Sequence, residues 1–207
     1  MKAFWDQRFT QVPHLYGILP NQWLADFVKQ RNTRPGNAFL PGEGEGRNAG
    51  FLLQNGWKVT AADQSEIARK HALEQWGHYG ESLQYMLASM ESVAFPESQF
   101  DLIASIYLHL PKDIRQKIHT QYISWLKPGG WLLLEGFHVD QVSFSSGGPK
   151  DIDMLFTPEM LRLDFEGLEI MYLATQTLHL NEGVGHAGEG RVVRLLARKD
   201  PGKAFHL

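Results

Sequence analysis

Two features of this chain suit a ligand with an adenosine end: a glycine-rich turn and an acidic residue that follows it. The stretch Ala38–Asn48 carries Gly42, Gly44 and Gly46, and Asp63 ends the next apolar run. Glycines let a backbone approach a ligand closely, and a carboxylate after the second strand can accept hydrogen bonds from both ribose hydroxyls. The pattern favours a cofactor site over an ordinary glycine-rich turn, or over a carboxylate that only caps the next helix.

The acidity of the turn narrows the choice of ligand. Its Gly-x-Gly-x-Gly spacing departs from the Gly-x-Gly-x-x-Gly of dinucleotide sites, and Glu43 and Glu45 would repel a pyrophosphate. A ligand with an adenosine end, a positive centre and no phosphate fits better, and S-adenosylmethionine has these properties. We expect Glu43 or Glu45 to face its ammonium or sulfonium group, the alternative being two solvated loop residues.

Arg47 and Asn48 open the helix after the turn and complete the predicted contacts of this segment. An arginine at a helix N-terminus is mildly unfavourable against the helix dipole. This position therefore indicates an anionic partner, such as the carboxylate of the cofactor. A surface salt bridge from Arg47 to Glu45 or Asp63 is the alternative.

The other predicted cofactor residues follow the ends of further strands: Gln64, Ser65, Ser89, Met90, Ser105 and Ile106. Ser89 and Met90 should border the adenine, mainly through backbone N–H groups. Ser105 and Ile106 should line the methionine half of the site. Ser65 is also suited to cap the helix that starts after it.

Three histidines and one tyrosine follow predicted strands on the side where doubly wound sheets bind ligands. His109 is the first candidate for a base or a substrate-orienting group, with Tyr107 beside it, and His186 is the second. His138 follows the fifth strand by the same logic. Each histidine has the alternative of being a packed or capping residue, and the glycine-rich loop around His186 is either a cover for the substrate or a plain hairpin.

Further candidates for contact with the substrate lie outside the strand ends. Arg8 and Tyr16 belong to an aromatic N-terminal arm, and packing of this arm on the sheet edge would explain its aromatic residues. Lys150, with Arg47 and Arg191, could form a small anion pocket, or each could be a solvated charge.

The elements that position these residues alternate between strands and helices. The predicted strands are Ala38–Pro41, Trp57–Ala62, Leu83–Leu87, Phe100–Ile106, Trp131–Gly136, Glu169–Leu178 and Arg191–Arg198. The predicted helices are Asn21–Lys29, Arg47–Asn55, Glu66–Trp76, Pro111–Leu126 and Thr157–Phe165. This alternation predicts an α/β fold: a doubly wound, mostly parallel sheet between two helical layers, with an antiparallel last strand. Residues 1–35 are expected to pack over the cofactor site, and residues 36–200 to form the domain.

The composition excludes several classes of function. The 207 residues carry a net charge of −3 and include no cysteine. Disulfides, thiolate catalysis, iron–sulfur chemistry and cysteine-based zinc sites are therefore excluded, and no metal site is predicted. Without a basic block or a long apolar run, neither nucleic acid nor membrane is an expected partner. The N-terminus lacks a signal-peptide pattern, so a cytoplasmic protein, monomeric or homodimeric, is expected.

Together these residues make the chain resemble the class I S-adenosylmethionine-dependent methyltransferases, most nearly the subgroup related to the tellurite-resistance and thiopurine methyltransferases. The resemblance lies in these segments: Trp5–Phe9, Tyr16-Gly17, Pro20-Asn21, Gly44–Ala49, Phe100-Asp101, Leu126–Gly130, Gly147–Asp151 and Glu182-Gly183 with His186. It implies a seven-stranded sheet with the last strand inserted antiparallel. It also implies that the N-terminal arm with Arg8 and Tyr16 lies over the cofactor as a lid. Leu40 and Ser89 depart from the family pattern, since acidic or amide residues usually occupy these two positions.

The resemblance implies an enzyme that transfers a methyl group to a small-molecule acceptor by in-line displacement, leaving S-adenosylhomocysteine. A soft chalcogen nucleophile needs no general base, whereas a hydroxyl or amine acceptor would call on His109 or His186. The alternative is a module that binds the cofactor without catalysis, which Leu40 and Ser89 favour. A nicotinamide-dependent oxidoreductase is disfavoured by the glycine spacing, the acidic turn and the reversed last strand.

Overall fold

A single sheet of seven strands forms the centre of the computed structural model, which describes residues 2–30 and 34–202. The strands are β1 Asn37–Pro41, β2 Lys58–Asp63, β3 Leu83–Leu87, β4 Phe100–Ile106, β5 Leu126–Phe137, β6 Glu169–Glu182 and β7 His186–Arg198. The helices are α1 Lys2–Gln11, α2 Gln22–Gln30, α3 Arg47–Gln54, α4 Glu66–Trp76, α5 Lys112–Trp125 and α6 Pro158–Asp164, with four short 3₁₀ helices between them.

The strand order is β3-β2-β1-β4-β5-β7-β6. The first five strands pair in parallel, and β7 is antiparallel to both β5 and β6. The predicted doubly wound sheet with a reversed last strand is therefore confirmed. The carboxyl ends of the parallel strands meet at one edge of the sheet, which brings the residues after β1, β2, β4 and β5 together.

Strand β1 shows why the sheet needs a helical layer on each side. Phe39 packs with Tyr122 and Trp125 of α5 on one face, and Leu40 packs with Leu52 of α3 on the other. Because both faces are covered, the central strands β1 and β4 are buried along most of their length rather than at alternate positions. The core thus lies in two layers, as predicted for the three-layer arrangement.

Local capping signals located two helices closely. Ser65 accepts a hydrogen bond from the backbone of Ala68 at 3.1 Å, which caps α4 as predicted. Thr157 accepts one from Met160 at 3.2 Å, and Pro158 occupies the first turn of α6.

The glycine-rich segment near the C-terminal end forms a hairpin, one of its two predicted alternatives, but the connection is shorter than the predicted strands implied. The predicted strands left residues 179–190 between them, whereas β6 continues to Glu182 and β7 begins at His186. Only residues 183–185 connect the two strands. Gly188 pairs with Leu180 and Gly190 with Leu178 across the hairpin, so the glycine content did not prevent strand formation.

The N-terminal arm begins with a helix, Lys2–Gln11, where no element was predicted. Its anchor is Asp6, whose carboxylate accepts hydrogen bonds from the hydroxyl of Ser65 at 2.7 Å and the backbone of Glu66 at 2.9 Å. These contacts tie α1 to the start of α4. Residues 1 and 31–33 of the predicted arm lie outside the described residues. No helix among the described residues has the length and apolar character needed to span a bilayer.

Candidate active site

A cavity of about 480 Å³ lies at the carboxyl edge of the parallel strands. Its volume falls within the range of ligand pockets, about 300–1,000 Å³, and its place is the one where doubly wound sheets bind ligands. The N-terminal arm, the glycine turn and the ends of β2, β4 and β5 form the wall. The predicted residues on it are Arg8, Tyr16, Gly42, Glu43, Gly44, Arg47, Asn48, Asp63, Gln64, Ser89, Met90, Ile106, Tyr107, His109 and His186.

The glycine turn and Asp63 are joined through the backbone. Gly42 and Gly44 have φ of +64° and +63°, a conformation that other residues rarely adopt. The N–H of Gly44 donates to Oδ2 of Asp63 at 3.0 Å, and the N–H of Ser65 donates to Oδ1 at 2.8 Å. Burial raises the pKa of Asp63, while these bonds lower it. The carboxylate of Asp63 is therefore held in one orientation beside Gly42 and Gly44, which have no side chains.

Glu43 lies on the wall, yet its carboxylate is engaged by the protein itself. Oε1 accepts the backbone N–H groups of Asn48 at 2.8 Å and Ala49 at 2.7 Å, and Oε2 accepts the side-chain amide of Asn48 at 3.2 Å. Burial raises the pKa of Glu43 to about 7, although the three donors oppose that shift. Glu43 is therefore neither a solvated loop residue nor a carboxylate that is free to contact the cofactor.

Glu45 points away from the cavity and fastens the N-terminal arm. Its two carboxylate oxygens accept the backbone N–H groups of His14 at 2.9 Å and Leu15 at 3.0 Å. The ring of His71 lies 2.8 Å from the same side chain. The predicted alternatives of a cofactor contact and a solvated loop residue are both wrong for Glu45, because the arm supplies its partners.

His109 has both ring nitrogens occupied by the backbone. Nδ1 lies 2.8 Å from the carbonyl oxygen of Met154, and Nε2 accepts the N–H of Phe137 at 3.2 Å. Nδ1 must therefore carry the proton, and the ring is neutral. Burial lowers the pKa of His109 to about 4. This arrangement favours the predicted alternative of a packed histidine over a base.

His186 lies among three aromatic rings, at centroid distances of 4.4 Å from Tyr16, 4.3 Å from Tyr107 and 5.1 Å from Phe137. Its Nδ1 is 3.6 Å from a carboxylate oxygen of Glu182. Burial lowers the pKa of His186, and the carboxylate opposes this. The ring is thus neutral near pH 7 and borders the cavity.

One family of known proteins matches the chain in sequence. Residues 41–130 match the model of a family described as a methyltransferase domain. The matched segment runs from the last residue of β1 into β5. The enzyme class predicted from the sequence is thereby confirmed, and with it S-adenosylmethionine as the cofactor of the class. A sequence comparison with curated proteins finds no match.

Solved structures share the fold of the methyltransferase domain at low sequence identity. A protein from work on the conversion of a disulfide bond into a thioacetal group during echinomycin biosynthesis is 16% identical, with a TM-score of 0.78 over 99% of this chain and 93% of that one. TehB from Haemophilus influenzae is 19% identical, with a TM-score of 0.71 over 95% and 67%. The 1,6-didemethyltoxoflavin-N1-methyltransferase of Burkholderia thailandensis, solved with S-adenosylhomocysteine, is 18% identical, with a TM-score of 0.64 over 96% and 84%.

Besides Glu45 and Arg191, five predicted site residues do not line the cavity: Gly46, Ser65, Ser105, His138 and Lys150. Gly46 has a φ of +86° and begins α3 where that helix packs closely on α4. Ser65 is used as a helix cap, and Ser105 is buried within β4. His138 accepts the backbone N–H of Asp140 at 3.1 Å, and Lys150 is exposed on a loop.

Of the three cations predicted to form an anion pocket, only Arg47 lines the cavity. Nη2 of Arg47 donates to Glu182 at 2.8 Å. The salt-bridge partner of Arg47 is therefore Glu182 and not Glu45 or Asp63, the two predicted partners. Arg191 donates to Thr177 at 2.8 Å and does not line the cavity. With Lys150 exposed as well, the pocket was a wrong prediction.

Sequence reasoning missed a buried polar cluster beside the cavity. The side-chain amide of Asn21, which is fully buried, donates to Glu135 at 2.6 Å and to Glu182 at 3.0 Å. Arg194 pairs with Glu135, and Arg47 with Glu182. The signal available in the sequence was Glu135 itself, a carboxylate directly after three leucines in a buried strand. The cluster joins the arm, the glycine turn and the last strands.

Proposed function

We propose that this methyltransferase acts on a small-molecule acceptor whose attacking atom is soft, a thiolate or a related chalcogen. The observation that carries the proposal is the state of His109, whose two ring nitrogens are both engaged by the backbone. A thiolate attacks without a general base, whereas a hydroxyl or an ammonium group must first lose a proton. A cavity in which His109 has no nitrogen free to accept a proton suits a nucleophile that arrives deprotonated. A hydroxyl or ammonium acceptor would have to rely on His186, the other predicted base on the cavity wall.

The residues of the cavity fit the cofactor. Gly42 and Gly44 present backbone without side chains beside Asp63, whose remaining lone pairs suit ribose hydroxyls. Buried Met90 offers an apolar wall of the kind an adenine needs. When bound, S-adenosylmethionine supplies an electrophilic methyl group on a sulfonium.

The contribution of the chain to transfer is orientation and exclusion of water. Residues 1–35 act in this proposal as the cover of the site, with Trp5, Phe9 and Tyr16 on the cavity wall, and residues 36–200 as the domain beneath it. Attack by an anion on a cation disperses charge, so an apolar cover favours the reaction. Positioning the reacting atoms roughly 3–3.5 Å apart accounts for the rest of the rate.

The proposal is tested with three acceptors that share one ring: thiophenol, phenol and benzylamine. Near neutral pH phenol and the ammonium group of benzylamine still hold the proton that they must lose, whereas thiophenol is largely a thiolate. Purified protein and S-adenosylmethionine are incubated with each, and both S-adenosylhomocysteine and the methylated product are measured by mass spectrometry. We expect product from thiophenol and only the enzyme-free background from phenol and benzylamine. Turnover of phenol or benzylamine at a rate comparable to thiophenol would contradict the proposal. The Asp63→Ala variant serves as the control for cofactor-dependent turnover.

A second candidate function is binding of the cofactor without catalysis. Leu40 favours it, since this fully buried leucine stands where the related enzymes usually have an acid. Calorimetric titration with S-adenosylmethionine, followed by the three-acceptor assay with tellurite added as a fourth acceptor, separates the two functions. Tight binding without turnover on any of the four would favour the binding module.

A further inference from the structure

Arg8 of α1 lies on the cavity wall and lacks a polar partner among the described residues. Its Nε is buried and makes no hydrogen bond, and its guanidinium lies over the ring of Phe4 at 5.6 Å. A buried polar atom without a partner is destabilising unless a ligand or water completes it. The N–H group at Nε of Arg8 is therefore available to an acceptor on a ligand.

The other arginine on the wall has its charge compensated. Arg47 pairs with Glu182 at 2.8 Å, and both side chains are largely buried. The nearest aromatic partner of Arg8, in contrast, carries no charge, and within residues 2–30 and 34–202 no carboxylate forms an ion pair with Arg8. The positive charge that remains for a ligand thus belongs to Arg8.

Tyr16 adds a second donor to the same cavity wall. Burial raises the pKa of the Tyr16 hydroxyl. The phenol therefore stays protonated and can donate a hydrogen bond. Its ring rests against His186 at 4.4 Å, so the hydroxyl is held in a packed position.

We propose that Arg8, assisted by the hydroxyl of Tyr16, forms a subsite of the cavity that binds a carboxylate or a similar oxyanion of a ligand. A guanidinium offers parallel N–H donors that match the two oxygens of such a group. The inference rests on the proposed function. The oxyanion has two possible sources, the amino-acid carboxylate of the cofactor and an acidic group on the acceptor.

The first experiment examines the cofactor as the source. S-adenosylhomocysteine, which carries the carboxylate, and 5′-methylthioadenosine, which lacks it, are titrated into wild type, Arg8→Met, Arg8→Lys and Arg162→Met. Met is similar to Arg in length but carries no charge, and Lys keeps the charge but not the parallel N–H donors of the guanidinium. Arg162 is exposed on α6, so Arg162→Met is the control for the loss of one positive charge. If the cofactor is the source, Arg8→Met weakens S-adenosylhomocysteine binding about 10- to 100-fold and leaves methylthioadenosine unchanged. Arg8→Lys should lie between wild type and Arg8→Met.

The second experiment examines the acceptor as the source, with thiosalicylate and thiophenol as probes. Thiosalicylate is thiophenol with a carboxylate on the neighbouring ring carbon, so the two differ only in the oxyanion. If the acceptor carries the oxyanion, Arg8→Met raises the Michaelis constant for thiosalicylate about 10- to 100-fold and that for thiophenol far less. The inference is overturned if Arg8→Met, compared with Arg162→Met, changes neither the S-adenosylhomocysteine affinity nor the ratio of the two Michaelis constants. Failure of the wild type to bind S-adenosylhomocysteine would instead refute the proposed function.

Discussion

Oε1 of Glu43 accepts the backbone N–H of Asn48 at 2.8 Å, so a residue of the glycine turn caps the helix that follows it. The residue at the cap position itself, Gly46, has no side chain for this purpose. Carboxylates are favourable near a helix N-terminus because they satisfy free N–H groups and oppose the dipole. The shape of the turn and the start of α3 are therefore fixed by one buried carboxylate.

This arrangement predicts an unusual pH dependence of stability. The pKa of Glu43 is raised from 4.5 to about 7 by burial. Since the folded state then holds this proton more tightly than the unfolded chain, the contribution to stability is present below pH 4.5 and is lost as the pH rises to about 7. Glu43→Gln, which cannot ionise, should remove this part of the pH dependence, at most about 3 kcal/mol.

Urea unfolding of wild type and Glu43→Gln at pH 5 and pH 8 measures the effect. The difference in unfolding free energy between the two proteins should shift in favour of Glu43→Gln as the pH rises. Glu74→Gln, on the exposed face of α4, is the matched control and should follow the wild type. Parallel pH dependences of wild type and Glu43→Gln would show that Glu43 titrates in its ordinary range.

Periodicity and capping signals predicted the fold because they act locally or on whole faces. The start of α4 follows from the capping residue Ser65, and the burial of β4 on both faces from its largely apolar sequence. The partners of Glu45 and Arg47 could not be predicted in this way. Residues 14 and 15 and Glu182 reach them only through the tertiary fold, across 30 to 135 positions in sequence.

The same limit applies to the candidate site. That His109 follows β4 was evident from the sequence, whereas its bond to Met154, 45 residues later, was not. The spacing of residues in the sequence therefore predicts which of them border the cavity. Which of those side chains are free to react depends on tertiary packing.

A direct prediction concerns Asp63 and the ribose of the cofactor. Asp63→Asn keeps the shape of the side chain but removes its charge, and we expect S-adenosylhomocysteine binding to weaken by roughly 1.5–3 kcal/mol, the range of hydrogen bonds to a charged group. Calorimetric titration measures this. Asp101→Asn is the matched control, because Asp101 lies at the start of β4 and does not line the cavity. Its carboxylate accepts hydrogen bonds from the backbone N–H of Asn37 at 2.8 Å and from Nζ of Lys127 at 2.7 Å. Unchanged affinity in Asp63→Asn would refute the ribose contact.

A comparison of two glycines tests the turn. Gly44→Val places a branched side chain at a φ of +63°, where its Cβ would lie 3.4 Å from the ring of Phe9. Gly80 has a φ of +55° with nothing within 4 Å of an added Cβ, so Gly80→Val imposes backbone strain away from the site. Both variants should lose roughly 1–3 kcal/mol of stability. Only Gly44→Val should lose S-adenosylhomocysteine affinity, and equal affinities would place the cofactor elsewhere.

Because His109 has a structural role, replacing it should lower the stability of the protein without changing the pH dependence of methyl transfer. His109→Phe keeps a flat ring but leaves the carbonyl of Met154 and the N–H of Phe137 without their partner, so unfolding should become easier by about 1–3 kcal/mol. His109→Gln retains a donor and an acceptor and should recover part of that stability. Because the pKa of His109 is about 4, the pH–rate profile of thiophenol methylation above pH 5 should keep its shape in both variants. Glutamine cannot act as a base in this range, so a profile that collapses in His109→Gln would restore His109 as the catalytic base and remove the argument for a soft acceptor.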